Sequence, residues 1–317
     1  MKKILKVIVF FLILFLLLMI ASYIVSPKNN GNLSPDKHID NASGPLAEKE
    51  NSIDALVIGD SESFAAISPL EIYKDYGYTM YVSGTSGQYL YDSYNYFLKT
   101  LTKQKLKVLI LETDAIYRKI PISYNFRFWM GEFIPVFHYH NRWKQMTMQD
   151  FKMEMAYNYT DTFKGYDFSL SINPATNPNY MKYTEGTEKI DKINKYYLDL
   201  IKKKCDENDI SFILVSTPST VNWNYRRHNG IKHYARQNKI KYLDLNIDNK
   251  AMIDWSKDTR DMGDHLNYYG AYKVSAYLGN YLSKLDILKD HRGDDYYSSW
   301  DSALKPYQDE VKKANQD

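Results

Sequence analysis

Ala55-Leu56-Val57-Ile58-Gly59-Asp60-Ser61-Glu62-Ser63 is the stretch on which the architecture turns. Four apolar residues closed by a glycine read as a short strand buried on both faces, the kind a parallel sheet contains. Similar runs recur at 79–83, 108–111, 212–215 and 241–244. Helical patterns lie between them. Ser68-Pro69 opens one, with the serine placed to cap and the proline at the first helical position. Residues 89–103 put Leu90, Tyr94, Phe97, Leu98 and Leu101 on one face, and 188–207 and 230–237 read as helices. The last long helix spans 268–285, with Val274, Leu278, Tyr281 and Leu282 facing the core. This alternation predicts an α/β domain on a parallel sheet.

Composition narrows the function classes. The 317 residues suffice for one large domain, and 41 Lys and Arg against 38 Asp and Glu leave a net charge of +3. Without a dense basic block, that balance gives no case for nucleic acid. Cys205 is the single cysteine, so the chain forms no internal disulfide, and its helical setting reads as a small buried hydrophobe. The 30 tyrosines suit strand and core packing with the hydroxyl outward.

Residues 7–25 are uncharged and strongly apolar, and follow Lys2, Lys3 and Lys6. As a helix they span about 28 Å, close to the hydrocarbon thickness of a bilayer. The lysines predict a cytoplasmic N-terminus, with the remainder of the chain across the membrane. A cleaved signal peptide would have a shorter apolar region and a clear small-x-small site, so an uncleaved anchor is the preferred reading. The expected organisation is therefore an anchor over 1–26, a tether over 27–52, a folded domain over 53–288 and a peripheral, charged tail over 289–317. Within the domain, about 117–186 breaks the strand–helix rhythm and is rich in aromatics (Phe126, Phe128, Trp129, Phe133, Phe137, Trp143). Two readings of this insertion stand: a lid or binding surface, or a helical subdomain with no ligand role.

In open parallel sheets, ligands bind beyond the carboxyl ends of the strands. Ser61 follows the first strand, Gly87 the second, Glu112-Thr113-Asp114 the third and Thr217 the fourth, while His265 precedes the last helix. A serine hydroxyl becomes a nucleophile when a histidine takes its proton, and a carboxylate on the other ring nitrogen fixes the tautomer. Asp261 and Asp264 are both candidates for that carboxylate, with Asp261 preferred because adjacent side chains diverge. Gly87 lacks a Cβ, so its N–H can approach a reacting carbonyl beside that of Ser61. Neither His138-x-His140 nor His228 with His233 has the further ligands a metal site requires, so no metal is expected. The basic stretch around Arg226, Arg227 and Lys232 reads as a solvated helix face or a surface for anionic glycopolymer.

With these residues in place, the chain resembles the SGNH/GDSL hydrolase superfamily over 53–285, apart from the aromatic insertion. The family's first block, Gly-Asp-Ser, is matched by Gly59-Asp60-Ser61, and its oxyanion glycine by Gly87. The fifth block, Asp-x-x-His, is matched at His265, but Met262 stands three residues before it and the aspartate is Asp261. A one-residue bulge would restore Asp261; otherwise His265 would act with Ser61 as a dyad. The third block reads Glu112-Thr113-Asp114-Ala115, without the asparagine that helps hold the oxyanion, and Thr113 is its candidate substitute.

The resemblance implies a three-layer, flavodoxin-like parallel-sheet domain. It also implies a serine esterase or acyltransferase that needs no cofactor: Ser61 as nucleophile, His265 as base, Asp261 (or Asp264) as its partner, and Ser61, Gly87 and Thr113 at the oxyanion. The overall plan is similar to membrane-anchored bacterial proteins of this superfamily, the teichoic-acid D-alanylation protein DltD and the alginate O-acetylation proteins. That similarity implies a cell-surface glycan or teichoic-acid-like substrate and a membrane-bound O-acyltransferase partner. The contrasting expectation is a non-catalytic scaffold of the same fold that binds glycan or the acyltransferase. The distance between Ser61 and His265 discriminates the two.

Overall fold

The computed structural model describes residues 2–34, 36–121, 130–131, 133–151 and 154–314. The chain divides into two compact units, Met1–Pro35 with Ile120–Asn158, and Asp36–Lys119 with Tyr159–Asp317.

The larger unit is built on a five-stranded sheet: β1 (Ala55–Gly59), β2 (Met80–Gly84), β3 (Val108–Glu112), β4 (Ser211–Ser216) and β5 (Lys241–Asp244). The strand order is β2-β1-β3-β4-β5, and each neighbouring pair is parallel. The five stretches read as strands are thus the five strands. Alternate residues feed two cores. Leu56, Ile58, Leu109, Leu111, Phe212 and Leu214 enter one, with Phe97, Leu198, Ile201 and Ile231 from the covering helices. Ala55, Val57, Val108, Ile110, Ile213 and Val215 enter the other, with Val274, Leu278 and Leu282. Helices therefore cover both faces, which gives the three layers. The chain leaves β1 toward β2 on one side and returns to β3 on the other. That reversal opens a crevice at the carboxyl ends of β1 and β3, the usual ligand position in such sheets.

Three boundaries differ from the sequence reading. The stretch expected to be a tether is folded in its second half. Lys37–Ala42 is a helix capped by Asp36, and Asn41, Ala42 and Glu48 are buried. Its backbone meets the sheet, where Tyr81 Oη donates to Asn41 O at 3.0 Å and Ser83 Oγ to Ala42 O at 2.8 Å. The polar composition of this stretch serves capping and side-chain hydrogen bonds rather than solvation.

The tail expected to be peripheral holds core residues. Ser298–Ala314 is a helix whose Trp300 and Tyr307 are fully buried. Tyr307 Oη lies 3.0 Å from Ser68 Oγ and 3.1 Å from Glu71 Oε1. Trp300 packs on Tyr73, and the ammonium of Lys164 lies 4.8 Å from its ring centre. Charged residues on the outer face of this amphipathic helix mask the two apolar anchors in a composition-based reading.

The insertion read over about 117–186 splits. Residues 159–186 belong to the larger unit, where Tyr166 is buried and Val82 N donates to Lys164 O at 2.9 Å. Residues 120–158 belong to the smaller unit with the N-terminal helix. Phe126, Phe128 and Trp129 lie outside the described residues.

The smaller unit contains the helix Lys2–Val25, 24 residues long, with one face of its last turn buried at Ser22 and Val25. It is long and apolar enough to cross a membrane.

Replacing Trp300 by alanine is expected to cost about 3–5 kcal/mol of stability through the cavity left in the core. Urea unfolding of the two proteins checks this. A loss below about 1 kcal/mol would restore the peripheral reading of the tail.

Candidate active site

Asp60 follows β1 and caps the helix Ser61–Ala66, its Oδ1 accepting from Glu62 N at 3.2 Å. The cap sets Ser61 at the first helical position, where N–H groups have no intrahelical acceptor. The fully buried Asp60 carboxylate is held by a second contact, Arg118 Nη2 to Oδ2 at 2.8 Å. Arg118 thus fixes the turn that presents the serine. It lies just after the third strand–helix junction, outside any motif, so only the fold reveals it.

His265 reaches Ser61 from the far end of the chain. Its Nε2 lies 2.8 Å from Ser61 Oγ, and its Nδ1 lies 2.6 Å from Asp261 Oδ2. Burial alone would raise the Asp261 carboxyl, but hydrogen bonds from the His265 ring and backbone outweigh it and hold the group below its usual value. An ionised carboxylate only accepts, so Nδ1 carries the ring proton and Nε2 is the acceptor for the serine hydroxyl.

Asp264 is not the partner. Its Oδ2 is 3.8 Å from Nδ1, and its Oδ1 accepts from Asn222 Nδ2 at 2.6 Å. The extra residue between Asp261 and His265 is absorbed by two consecutive left-handed residues, Met262 (φ 64°) and Gly263 (φ 97°). Glycine is required at the second: a Cβ there would lie 2.1 Å from Thr220 Oγ1. The resulting loop lets Asp261 accept from both the backbone N–H of His265, at 2.6 Å, and its ring.

Gly87 lies in the loop after β2 with φ of 62°, and a Cβ there would meet only Arg118 Nη1, at 3.8 Å. Glycine at this position supplies a backbone conformation more than room, and the Arg118 guanidinium lies between this loop and Asp60.

Thr113 departs from its expected role. Its hydroxyl shares a 2.6 Å hydrogen bond with Ser216 Oγ, its N–H donates to Val215 O at 3.1 Å, and the residue is fully buried. Both donors are committed to joining β3 to β4, so Thr113 has none left for an oxyanion. Glu112 is likewise structural: it accepts from Asp114 N at 2.9 Å and from Thr217 Oγ1 at 3.2 Å. His228, read as part of a basic surface, is instead buried with its Nδ1 2.7 Å from Asp244 Oδ2.

Four carboxyl groups lie beneath the serine: Asp60, Glu62, Glu112 and Asp114. Burial, then the neighbouring carboxylates, push Glu62 and Glu112 well above their usual range, and Asp114 is raised for the same reasons. Asn222 Nδ2 donates to Glu62 Oε1 at 2.8 Å and to Asp264, bridging the two acids, while Glu62 Oε2 is buried without a partner. The sequence offered no signal for this cluster beyond the bare presence of acids near Ser61. Glu62, Asp264 and His265 bring ligand-type atoms within 4.8 Å of one another. A cation held there by either ring nitrogen would displace the contact to Asp261 or to Ser61.

No family model matches the chain, and no curated protein matches it. Several solved structures are similar in part. A GDSL-like lipase from Bacteroides thetaiotaomicron is 14% identical with a TM-score of 0.42, over 78% of this chain and 98% of that one. The acetyl xylan esterase AlAXEase is 14% identical with a TM-score of 0.40, over 73% and 100%. A lipase/acylhydrolase from Enterococcus faecalis is 12% identical with a TM-score of 0.38, over 75% and 98%. At these levels the functional reading rests on the side-chain geometry alone.

The acid cluster has a thermodynamic signature. A carboxyl whose folded pKa is raised leaves stability untouched below its unfolded value, near 4.5 for Glu62, and costs stability as pH rises above it. Between about pH 5 and about pH 8, the urea midpoint of the wild type is expected to fall more than that of Glu62→Gln. Equal falls would contradict the buried-acid assignment.

Proposed function

We propose that this protein is a membrane-anchored, extracytoplasmic serine acyl esterase or O-acyltransferase of the SGNH type. Its substrate is a cell-envelope polysaccharide or a teichoic-acid-like polymer. One observation carries the reading: Asp261, His265 and Ser61 form a continuous hydrogen-bonded chain that ends on a serine at a helix N-terminus. Ser61 and His265 too far apart to meet would have favoured the scaffold alternative; their 2.8 Å contact supports the catalytic reading instead.

The chemistry follows from the geometry. Ser61 Oγ attacks the carbonyl carbon of an acyl ester while its proton passes to His265 Nε2. Asp261 stabilises the imidazolium through Nδ1–H. The negative charge on the carbonyl oxygen is met by the backbone N–H groups of Ser61 and Gly87, with the Arg118 guanidinium beside the Gly87 loop. The tetrahedral centre collapses, and His265 gives its proton to the departing alcohol. The acyl-serine then passes its acyl group to a sugar hydroxyl or to water: His265 takes the proton of that second nucleophile and returns it to Ser61 Oγ as the second tetrahedral centre collapses and the Oγ–acyl bond breaks. Every proton has a named donor and acceptor on this chain or its substrates, so the cycle proceeds without a cofactor.

Location and partner come from the plan of the chain. Lysines at 2, 3 and 6 hold the N-terminus inside, the Lys2–Val25 helix spans the bilayer, and the larger unit works outside. A membrane-bound O-acyltransferase would deliver acyl groups from the cytoplasmic side to such an enzyme. The resemblance to the teichoic-acid and alginate systems supports this partner and polymer.

Ser61→Ala and His265→Ala are each expected to lower turnover of an activated aryl acetate at least about 10³-fold. Loss of the tautomer-fixing carboxylate in Asp261→Asn should cost at least about 10²-fold, and Asp264→Asn less than about tenfold. A fluorophosphonate probe should label wild-type Ser61. Undiminished activity in the Ser61 and His265 variants, or a wild type that neither turns over ester nor takes the probe, would leave the scaffold reading in place.

A further inference from the structure

We infer that the aromatic segment 133–151 is a membrane-surface platform, lying in the outer interfacial layer of the bilayer beside the exit of the N-terminal helix. The inference rests on the reading of Lys2–Val25 as a membrane span and goes beyond it.

The first observation is where the segment is attached. Val136 N–H donates to Ser22 Oγ at 3.0 Å, and Arg142 Nη1 to the carbonyl oxygen of Val25 at 2.6 Å. Ser22 and Val25 are the residues of the long helix that become buried. At 1.5 Å per residue, Ser22 lies about 5 Å inside the helix end. Anything packed against that turn sits at the headgroup–acyl boundary, the depth at which amphipathic segments rest on membranes.

The second observation is what the segment presents. Phe133, Trp143 and Met148 leave 63%, 65% and 75% of their surface exposed, and Phe137 and Phe151 are also exposed. Five large apolar side chains within nineteen positions would be a solubility liability in water. At an interface they are the ordinary composition, because aromatic rings partition to the headgroup level.

The third observation is charge. Among residues 133–151, Asp150 is the single acid. It is buried and spent on Arg142, with Nη2 to Oδ1 at 3.0 Å. Lys144 is exposed, with its ammonium 5.8 Å from the ring centre of Trp143. Lys28 is buried, folded back over Tyr23 at 4.0 Å from its ring and donating to Tyr23 O at 2.7 Å, so the lipid-facing cation is Lys144. A ring–ammonium pair such as Trp143 and Lys144 places the ring in the acyl boundary and the cation among lipid phosphates. The apolar surface, the exposed Lys144 with no acid but the buried Asp150 among the described residues 133–151, and the attachment to the membrane helix select one occupant, an anionic lipid surface.

The full-length protein in vesicles of phosphatidylglycerol and phosphatidylethanolamine tests this. Cys205 is buried and its thiol is pushed up by burial, so an introduced cysteine takes an environment-sensitive fluorophore selectively. Labels go at Trp143→Cys and Met148→Cys, with Lys203→Cys on an exposed helix as the aqueous reference and Leu12→Cys as the membrane reference. The expected result is that labels at 143 and 148 emit to the blue of the label at 203. They should also be quenched several-fold more by a headgroup-level lipid nitroxide than by aqueous iodide. If they follow the label at 203, or are shielded from both quenchers as in a protein interface, the platform is overturned. The label at 12 separates the two readings. Quenching there by mid-bilayer nitroxide keeps the span when the platform fails, and its absence removes the span and the platform together.

Discussion

The 2.8 Å contact between His265 Nε2 and Ser61 Oγ joins residues 204 positions apart, and the larger unit is arranged to make it. No local structure can hold two such segments together. The parallel sheet does so by ending β1 just before Asp60, at the crevice where the chain reverses toward β3. The helix Tyr268–Ser283, packed by Val274, Leu278 and Leu282 on one face of that sheet, delivers the histidine at its N-terminal side. Asn267 caps that helix, accepting from Tyr269 N and Gly270 N, and so fixes the direction from which the His265 loop arrives.

Beneath the serine, the protein holds more carboxyl groups than cations can neutralise. Arg118 and Arg227 are bonded to Asp60 and Asp114, and Glu62 and Glu112 lie deeper with raised pKa values. A buried acid kept neutral can donate as well as accept, so it can sit near other carboxylates without the repulsion an ionised group would bring. The cluster therefore supports the turn through hydrogen bonds while keeping net negative charge away from a centre that must itself become negative. Concentrating the exposed positive charge at Arg118, beside the Gly87 loop, works in the same direction.

The sheet was legible because β1, β3 and β4 hold apolar runs buried on both faces, a use few other settings have, while β2 and β5 were placed by the strand–helix alternation around them. The serine and histidine were legible because loops after parallel strands converge. What escaped has a physical reason in each case. Trp300, Ala303, Leu304, Tyr307 and Val311 recur at helical spacing, but the charged residues between them drew the reading of this segment to the surface. Residues 37–48 meet the sheet through backbone carbonyls of Asn41 and Ala42 and carry polar side chains that bond to the 159–164 segment, and composition does not separate that from solvation. Thr113 fits the position of an oxyanion donor in sequence, but its hydroxyl is taken by Ser216, a partner 103 positions away. The choice of Asp261 over Asp264 hung on two backbone dihedrals at Met262 and Gly263, and a left-handed methionine announces nothing in the sequence.

The helix Ser298–Ala314 also bears on the order of assembly. Chains leave the ribosome N-terminus first, and domains generally fold as units once their elements are present. Tyr73, Ser68 and Glu71 come early, yet their partners Trp300, Asp301 and Tyr307 come last. Until that helix arrives, one core stays open beside the segment that carries Ser61, and the sheet behind it is an unfinished surface. Closure of the fold therefore waits for this helix, and until it docks the ring of Tyr73 and its neighbours stay open to misassembly.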